Sequence, residues 1–222
     1  MSDLITRAAA ARAAGVRAPA DRPSQRRCAQ AAASRAYVKT PARLELRAAD
    51  TGDGLLHFVG EASVYERGYE MWDMFGPYTE IVTANAAADL GRPDLDVPLV
   101  LAHDSLRRIA RTTNGTLSLT QDEQAFRVDA PALDPADADV AYIAPKIRAG
   151  LIDEMSFMFR ITDGQWSPDY TEYRINAFEV HRGDVAIVGY GANPHTSGEL
   201  RAAKAAVDRA RLRALADLAL AD

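Results

Sequence analysis

The run Glu154-Met155-Ser156-Phe157-Met158-Phe159-Arg160 alternates in a way that suits an extended strand. Alternation puts Met155, Phe157, Phe159 and Ile161 on one face and Ser156, Met158 and Arg160 on the other. The first set reads as a core face. Ser156 then projects from the opposite face of a stiff element, a good mount for a nucleophile that must be held accurately. Serine alone is a weak nucleophile and needs a base and an orienting acid. Two other stretches offer them: Leu99-Val100-Leu101-Ala102-His103-Asp104, and Gly183-Asp184-Val185-Ala186-Ile187-Val188.

A chain of 222 residues holds one domain with tails, or two very small domains. Hydrophobic residues at 48% and charged residues at 26% are ordinary for a globular protein. The net charge of −5 argues against nucleic acid as the main partner. A single cysteine, Cys28, excludes an internal disulfide framework and any cysteine-rich zinc site, which fits a reducing compartment. No apolar run is long enough to span a bilayer, and the arginine-bearing N-terminus lacks the apolar segment of a secretory signal.

Composition divides the chain into three. Residues 1–48 are rich in alanine and arginine and poor in large apolar residues, and are expected to form a basic, flexible arm, partly helical at best. Residues 49–196 hold the folded domain, and 197–222 a helical tail whose first residue, Ser197, would act as cap. Within the domain, Leu55 to Tyr65 reads as a strand with Gly60 as a candidate bulge. Tyr69 to Tyr78 reads as a loop with an aromatic anchor, and Glu80 to Leu90 as a strand end leading into a short helix. Val97 to Ala102 is a continuous apolar run, so a strand buried on both faces and ending at His103. Thr116–Thr120 and Ala125–Ala130 form a hairpin. Asp134-Pro135 would open a helix carrying Val140, Ile143, Ala144 and Ile147 on one stripe, with Gly150 at its end. Tyr170–Val180 and Asp184–Tyr190 read as two further strands, with a loop at 164–169 before them.

Histidine is the side chain best suited to general base work near neutral pH, and there are four: His57, His103, His181 and His195. His103 stands apart because it ends a buried strand, a place where a purely structural histidine is also common. Asp184 and Glu179 are the nearest candidates for an orienting carboxylate, though acids at such positions are most often surface or turn residues. A zinc site built on His103-Asp104 with His181 or His195 is the competing chemistry. No His-Glu-x-x-His and no cysteine pair supports it. Phosphate-binding and dinucleotide-binding glycine loops are absent, as is Gly-x-Ser-x-Gly, so Ser156 does not sit on a nucleophile elbow.

Taken in order, these segments resemble the prohead (procapsid) maturation serine proteases of tailed phages, from about Leu55 to Ser197. Gly60-Glu61-Ala62-Ser63-Val64 ends the opening strand. Glu80-Ile81-Val82-Thr83-Ala84-Asn85-Ala86 is similar to the family segment Glu-x-Ile-x-Pro-Gly-Ala-Phe. Val100–Asp104 resembles the histidine strand, Gly150–Phe159 the serine strand, and Asp184–Val188 with Gly191-Ala192-Asn193-Pro194 the acidic strand and closing turn. Three positions depart from the pattern. Asn85 replaces a glycine, and asparagine tolerates a left-handed backbone. Met158 replaces a glycine two residues past the serine, which would narrow the site. Asp-Val-Ala replaces Glu-Val-Ser.

The resemblance implies an α+β fold, a compact, mostly antiparallel β-barrel with flanking helices like that of the herpesvirus assembly proteases. It implies a serine endopeptidase that trims scaffold protein and major capsid precursor inside the procapsid, in the host cytoplasm, without a cofactor or metal, with self-cleavage as a further expectation. Partners would be those precursors and a second copy of the chain, with no membrane and no nucleic acid. The catalytic set would be Ser156, His103 and Asp184, with Glu179 as the fallback acid. Backbone N–H groups, or an arginine such as Arg107 or Arg111, would stabilise the oxyanion. Two other readings stand beside it: an inactive assembly factor on the same fold, and a small zinc hydrolase.

Overall fold

The structure, a computed structural model, describes residues 2–23, 36–40, 45–48 and 54–189. It is an α+β fold of eleven strands and two helices among these residues, in the order α1 (Ser2–Gly15), β1 (Ala36–Thr40), β2 (Glu45–Ala48), β3 (Leu56–Val64), β4 (Tyr69–Trp72), β5 (Pro77–Val82), β6 (Pro98–Leu101), β7 (Asp104–Arg111), β8 (Ser118–Gln121), β9 (Ala125–Leu133), α2 (Ala138–Arg148), β10 (Glu154–Trp166) and β11 (Glu172–Val188).

The strands form two sheets. One runs β1-β10-β11-β5-β4, with β6 and β7 joined to it through β11; the other runs β2-β3-β9-β8. Neither sheet closes on itself among the described residues, so the expected barrel is replaced by two open sheets. The reason lies in β11. Its outer edge pairs in parallel with β5 over Glu172–Ile175 and then with β6 over Val185–Ile187, so one strand uses up two partners along its length. The second sheet shares the core but no ladder with the first.

That core follows from the alternation in β10. Met155, Phe157, Phe159 and Ile161 are all buried. The Phe157 and Phe159 rings stack at 4.4 Å, and both meet Phe178 of β11 at 5.1 and 5.2 Å. Phe126 of β9 brings the second sheet onto the cluster, 5.6 Å from Phe157 and 5.8 Å from Phe178. Each such ring buries a large apolar area, and the tilted and edge-on pairs suit the ring quadrupoles. Helix α2 adds Val140, Ile143, Ala144 and Ile147, the stripe expected from its spacing.

Several elements differ from the sequence expectation for local reasons. The cap of α2 is Asp137, whose carboxylate accepts from the N–H groups of Asp139 and Val140. Asp134 instead holds the turn before it, accepting from Ala136 N–H. Tyr69–Tyr78 is a tight hairpin (β4–β5) rather than a loop, and no helix follows β5. The ladder of β3 slips on either side of Gly60, which itself pairs normally with Val128. Gly164 lies inside β10, and β11 is one strand where two were expected.

Part of the basic arm is structured. Helix α1 buries Ala8, Ala9 and the whole of Arg12. Arg12 bonds Asp73 through Nε and Nη2 at 2.8 and 3.0 Å. It also donates to the carbonyls of Gly76, Pro77 and Tyr170, and lies 5.0 Å from the Tyr78 and Trp166 rings. Beyond the helix, Trp166 donates its backbone N–H to Pro19 and its indole N–H to Asp21. Cys28, residues 41–44 and the expected helical tail at 197–222 lie outside the described residues.

Candidate active site

His103 is set by a two-residue hairpin turn. Leu101 of β6 pairs with Asp104 of β7, leaving Ala102 and His103 between them. Both have positive φ, 52° and 60°, as a tight hairpin of the right twist requires. Neither is glycine, so each holds a conformation that costs an L-residue about 1–2 kcal/mol. The turn lifts the imidazole off the end of the strand and out over the sheet. Its Nδ1 lies 2.7 Å from Asp184 Oδ1.

Asp184 reaches that point because β11 bulges. Arg160 of β10 pairs with Glu179, and Met158 with Asp184, so two steps on β10 face five on β11. The bulge turns at Arg182, with φ of 57°. The next residue must be glycine: a Cβ on Gly183 would sit 1.8 Å from the Met158 carbonyl oxygen. Asp184 emerges 2% exposed beside the histidine, whose side chain is 15% exposed.

Ser156 pairs with Ala186, the second residue after Asp184 on the same face, and Ala186 pairs onward with Val100. Ladder partners share a face, so Ser156, Met158, Asp184, Ala186 and Val100 line one side of the sheet, opposite the phenylalanine core. Val100, Ala186 and Val188 form a small buried cluster there. Ser156 is 0% exposed. On its other side its ladder partner is Lys39 of β1, so a segment from the N-terminal arm runs antiparallel along this stretch of β10.

The remaining candidates are engaged elsewhere. Glu179 makes an ion pair with Arg160. Arg107 grips Asp139 of α2 at 2.6 and 2.8 Å and lies over the Tyr142 ring. Arg111 grips Asp96 with two 2.7 Å bonds, which hold the Asp96 carboxyl below the usual carboxylate range. His57 bonds Asp129, and His181 Nδ1 accepts from the Asp96 N–H. No group of three metal-ligating side chains occurs among the described residues, and His195 lies outside them. The sequence reading missed Asp89, Asp96 and the turn strain at Ala102. Asp89 was hidden because its partners are backbone N–H groups on a distant strand.

A histidine joined to a buried carboxylate thus stands on the sheet face that also carries Ser156. The family model described as Caudovirus prohead serine protease matches residues 42–209, most of the chain, and the protein belongs to that family. Neither a curated protein nor a solved structure matches it. Membership carries a role in prohead maturation, within the procapsid in the host cell and among procapsid components. Among the described residues no helix is long and apolar enough to cross a membrane.

Proposed function

We propose that the chain is a serine endopeptidase that cleaves scaffold protein and major capsid precursor during procapsid maturation, and its own N-terminal arm. The observation that carries the reading is the 2.7 Å bond between His103 and Asp184 on the face that bears Ser156. In this mechanism His103 donates its Nδ1–H to Asp184, which fixes the tautomer and leaves Nε2 to act as base. Ser156 Oγ gives its proton to Nε2 and bonds the scissile carbonyl carbon. The imidazolium, stabilised by Asp184, returns the proton to the leaving amine. Water then repeats the sequence on the acyl-enzyme. Backbone N–H groups near Ser156 are the favoured oxyanion donors, because the guanidiniums of Arg107 and Arg111 are each held by a carboxylate.

The burial of Ser156 supports a closed resting state. Residues 36–40 lie along β10 with Lys39 opposite the serine, which favours the arm as an early, intramolecular substrate. The same burial favours a second reading, a protease fold retained as an assembly factor. Co-expression with the capsid precursor, followed by intact-mass analysis of wild type and Ser156→Ala, separates the two. Truncation of the precursor by the wild type alone is the expected result. Equal truncation by both removes Ser156 from the mechanism, and intact precursor in normal shells favours the assembly factor.

A further inference from the structure

The bulge that aims Asp184 is held by groups that none of the proposed chemistry uses. The chain from β5 to β6 runs alongside β11 and satisfies its backbone step by step. Thr83 N–H donates to Ile175 O, Ala88 N–H donates to Phe178 O, and Phe178 N–H donates to Ala86 O. Asp89, 8% exposed, then turns its carboxylate onto the start of the bulge. Val180 N–H lies 3.0 Å from both of its oxygens, and His181 N–H lies 2.7 Å from Oδ2. Arg182 N–H donates to the Asp96 carbonyl at 2.8 Å. Three consecutive N–H groups that the β10 ladder leaves aside are thereby satisfied from one side.

We infer that Asp89 is a positioning residue for the catalytic acid: its carboxylate fixes the Val180–Gly183 bulge and so holds Asp184 against His103. The inference rests on the serine endopeptidase reading above. The alternative geometry is a regular strand, in which residue 181 would face Met158 and Asp184 would move three places along the ladder. An ionised acceptor on two adjacent N–H groups makes charge-assisted bonds, the stronger kind, and their loss lets the bulge relax. A placement error of about 1 Å at such a site costs about 100-fold in rate. Segment 86–88 is itself clamped: the Gln121 side-chain amide accepts from Ala87 N–H and donates to Ala87 O. Asp89 is therefore delivered from a rigid support.

The test is a double-mutant cycle on the full chain, read by the rate at which a fluorophosphonate labels Ser156. Asp89→Asn keeps size and removes the charge. It is expected to slow the maximal labelling rate at least about tenfold with the half-saturating probe concentration unchanged, a pure transition-state loss. Asp184→Asn should slow it more. Asp89→Asn added to Asp184→Asn should cost nothing further, because a residue that acts through Asp184 has nothing left to act on. The ring N–H proton of His103, seen by NMR as a strongly hydrogen-bonded signal, should weaken in Asp89→Asn. Asp89→Ser, which retains one small acceptor, serves if Asp89→Asn does not fold. Wild-type labelling in Asp89→Asn, or full additivity in the double variant, overturns the inference while leaving the protease reading intact. Labelling unaffected by Asp184→Asn overturns both.

Discussion

At the scale of single residues, the strands bury polar groups beside partners in some places and, at Tyr173, without a hydrogen-bond partner among the described residues. Tyr69 and Tyr78 both donate to the buried Glu80, at 2.6 and 3.1 Å. Tyr173, opposite Glu80 in the ladder, buries a hydroxyl with no hydrogen-bond partner among the described residues. Burial pushes the Tyr173 phenol up to about 12, and burial followed by the Glu80 charge raises Tyr69 as well. A phenol whose folded value lies above its unfolded value of 10.0 contributes stability in full below that value. The contribution is lost as pH rises through the folded value, so the protein is expected to unfold cooperatively on the way to about 12. Tyr173→Phe removes both the titrating group and an unsatisfied buried oxygen. Its thermal midpoint should rise at neutral pH, and its alkaline transition should move upward; a fall in either would show that the hydroxyl has a partner.

At the scale of elements, the N-terminal helix packs Ala8 and Ala9 on the body and sends Arg12 into it as a buried cation. Asp73 accepts from Arg12 and also from the N–H groups of Phe75 and Gly76, so it shapes the β4–β5 turn on which α1 sits. Removing one partner of a buried pair leaves the other charge uncompensated, at about 3–5 kcal/mol. Arg12→Met is expected to release α1 while the sheets persist. Limited proteolysis should then cut near Arg7 well before the core, whereas wild type should resist. Equal resistance would mean that Ala8 and Ala9 carry the docking. The elements of the site show a division of labour. The strands β10 and β11 set the lateral spacing of serine and acid, and the β6–β7 turn sets the histidine. All three meet where β11 changes partner from β5 to β6, which is where a bulge costs fewest ladder bonds.

At the scale of the whole molecule, the two open sheets enclose one core and leave the serine face covered. Under the proposed protease reading, this face must open before a precursor can reach Ser156, which is fully buried. Amide hydrogen exchange in residues 155–159 is expected to quicken when capsid precursor is added to the Ser156→Ala protein, as residues 36–40 leave β10. Unchanged protection during processing by the wild type would place the substrate elsewhere.

Much of this was legible without coordinates because it depends on periods and residue chemistry. The two-residue alternation of Met155, Phe157, Phe159 and Ile161 dictated which face of β10 is core and which carries Ser156, and the 3.6-residue spacing of Val140, Ile143, Ala144 and Ile147 dictated the buried stripe of α2. His103, Ser156 and Asp184 could be nominated because their chemistry is particular. What the tertiary structure alone decided were long-range backbone partnerships. The sheets remain open because β11 serves two parallel neighbours. The bulge exists because Asp89, some ninety positions away, satisfies its N–H groups. Arg12 is buried because Asp73 waits for it across the fold. Backbone groups are the same in every residue, so the sequence determines that they must be paired, and only the folded chain shows with whom.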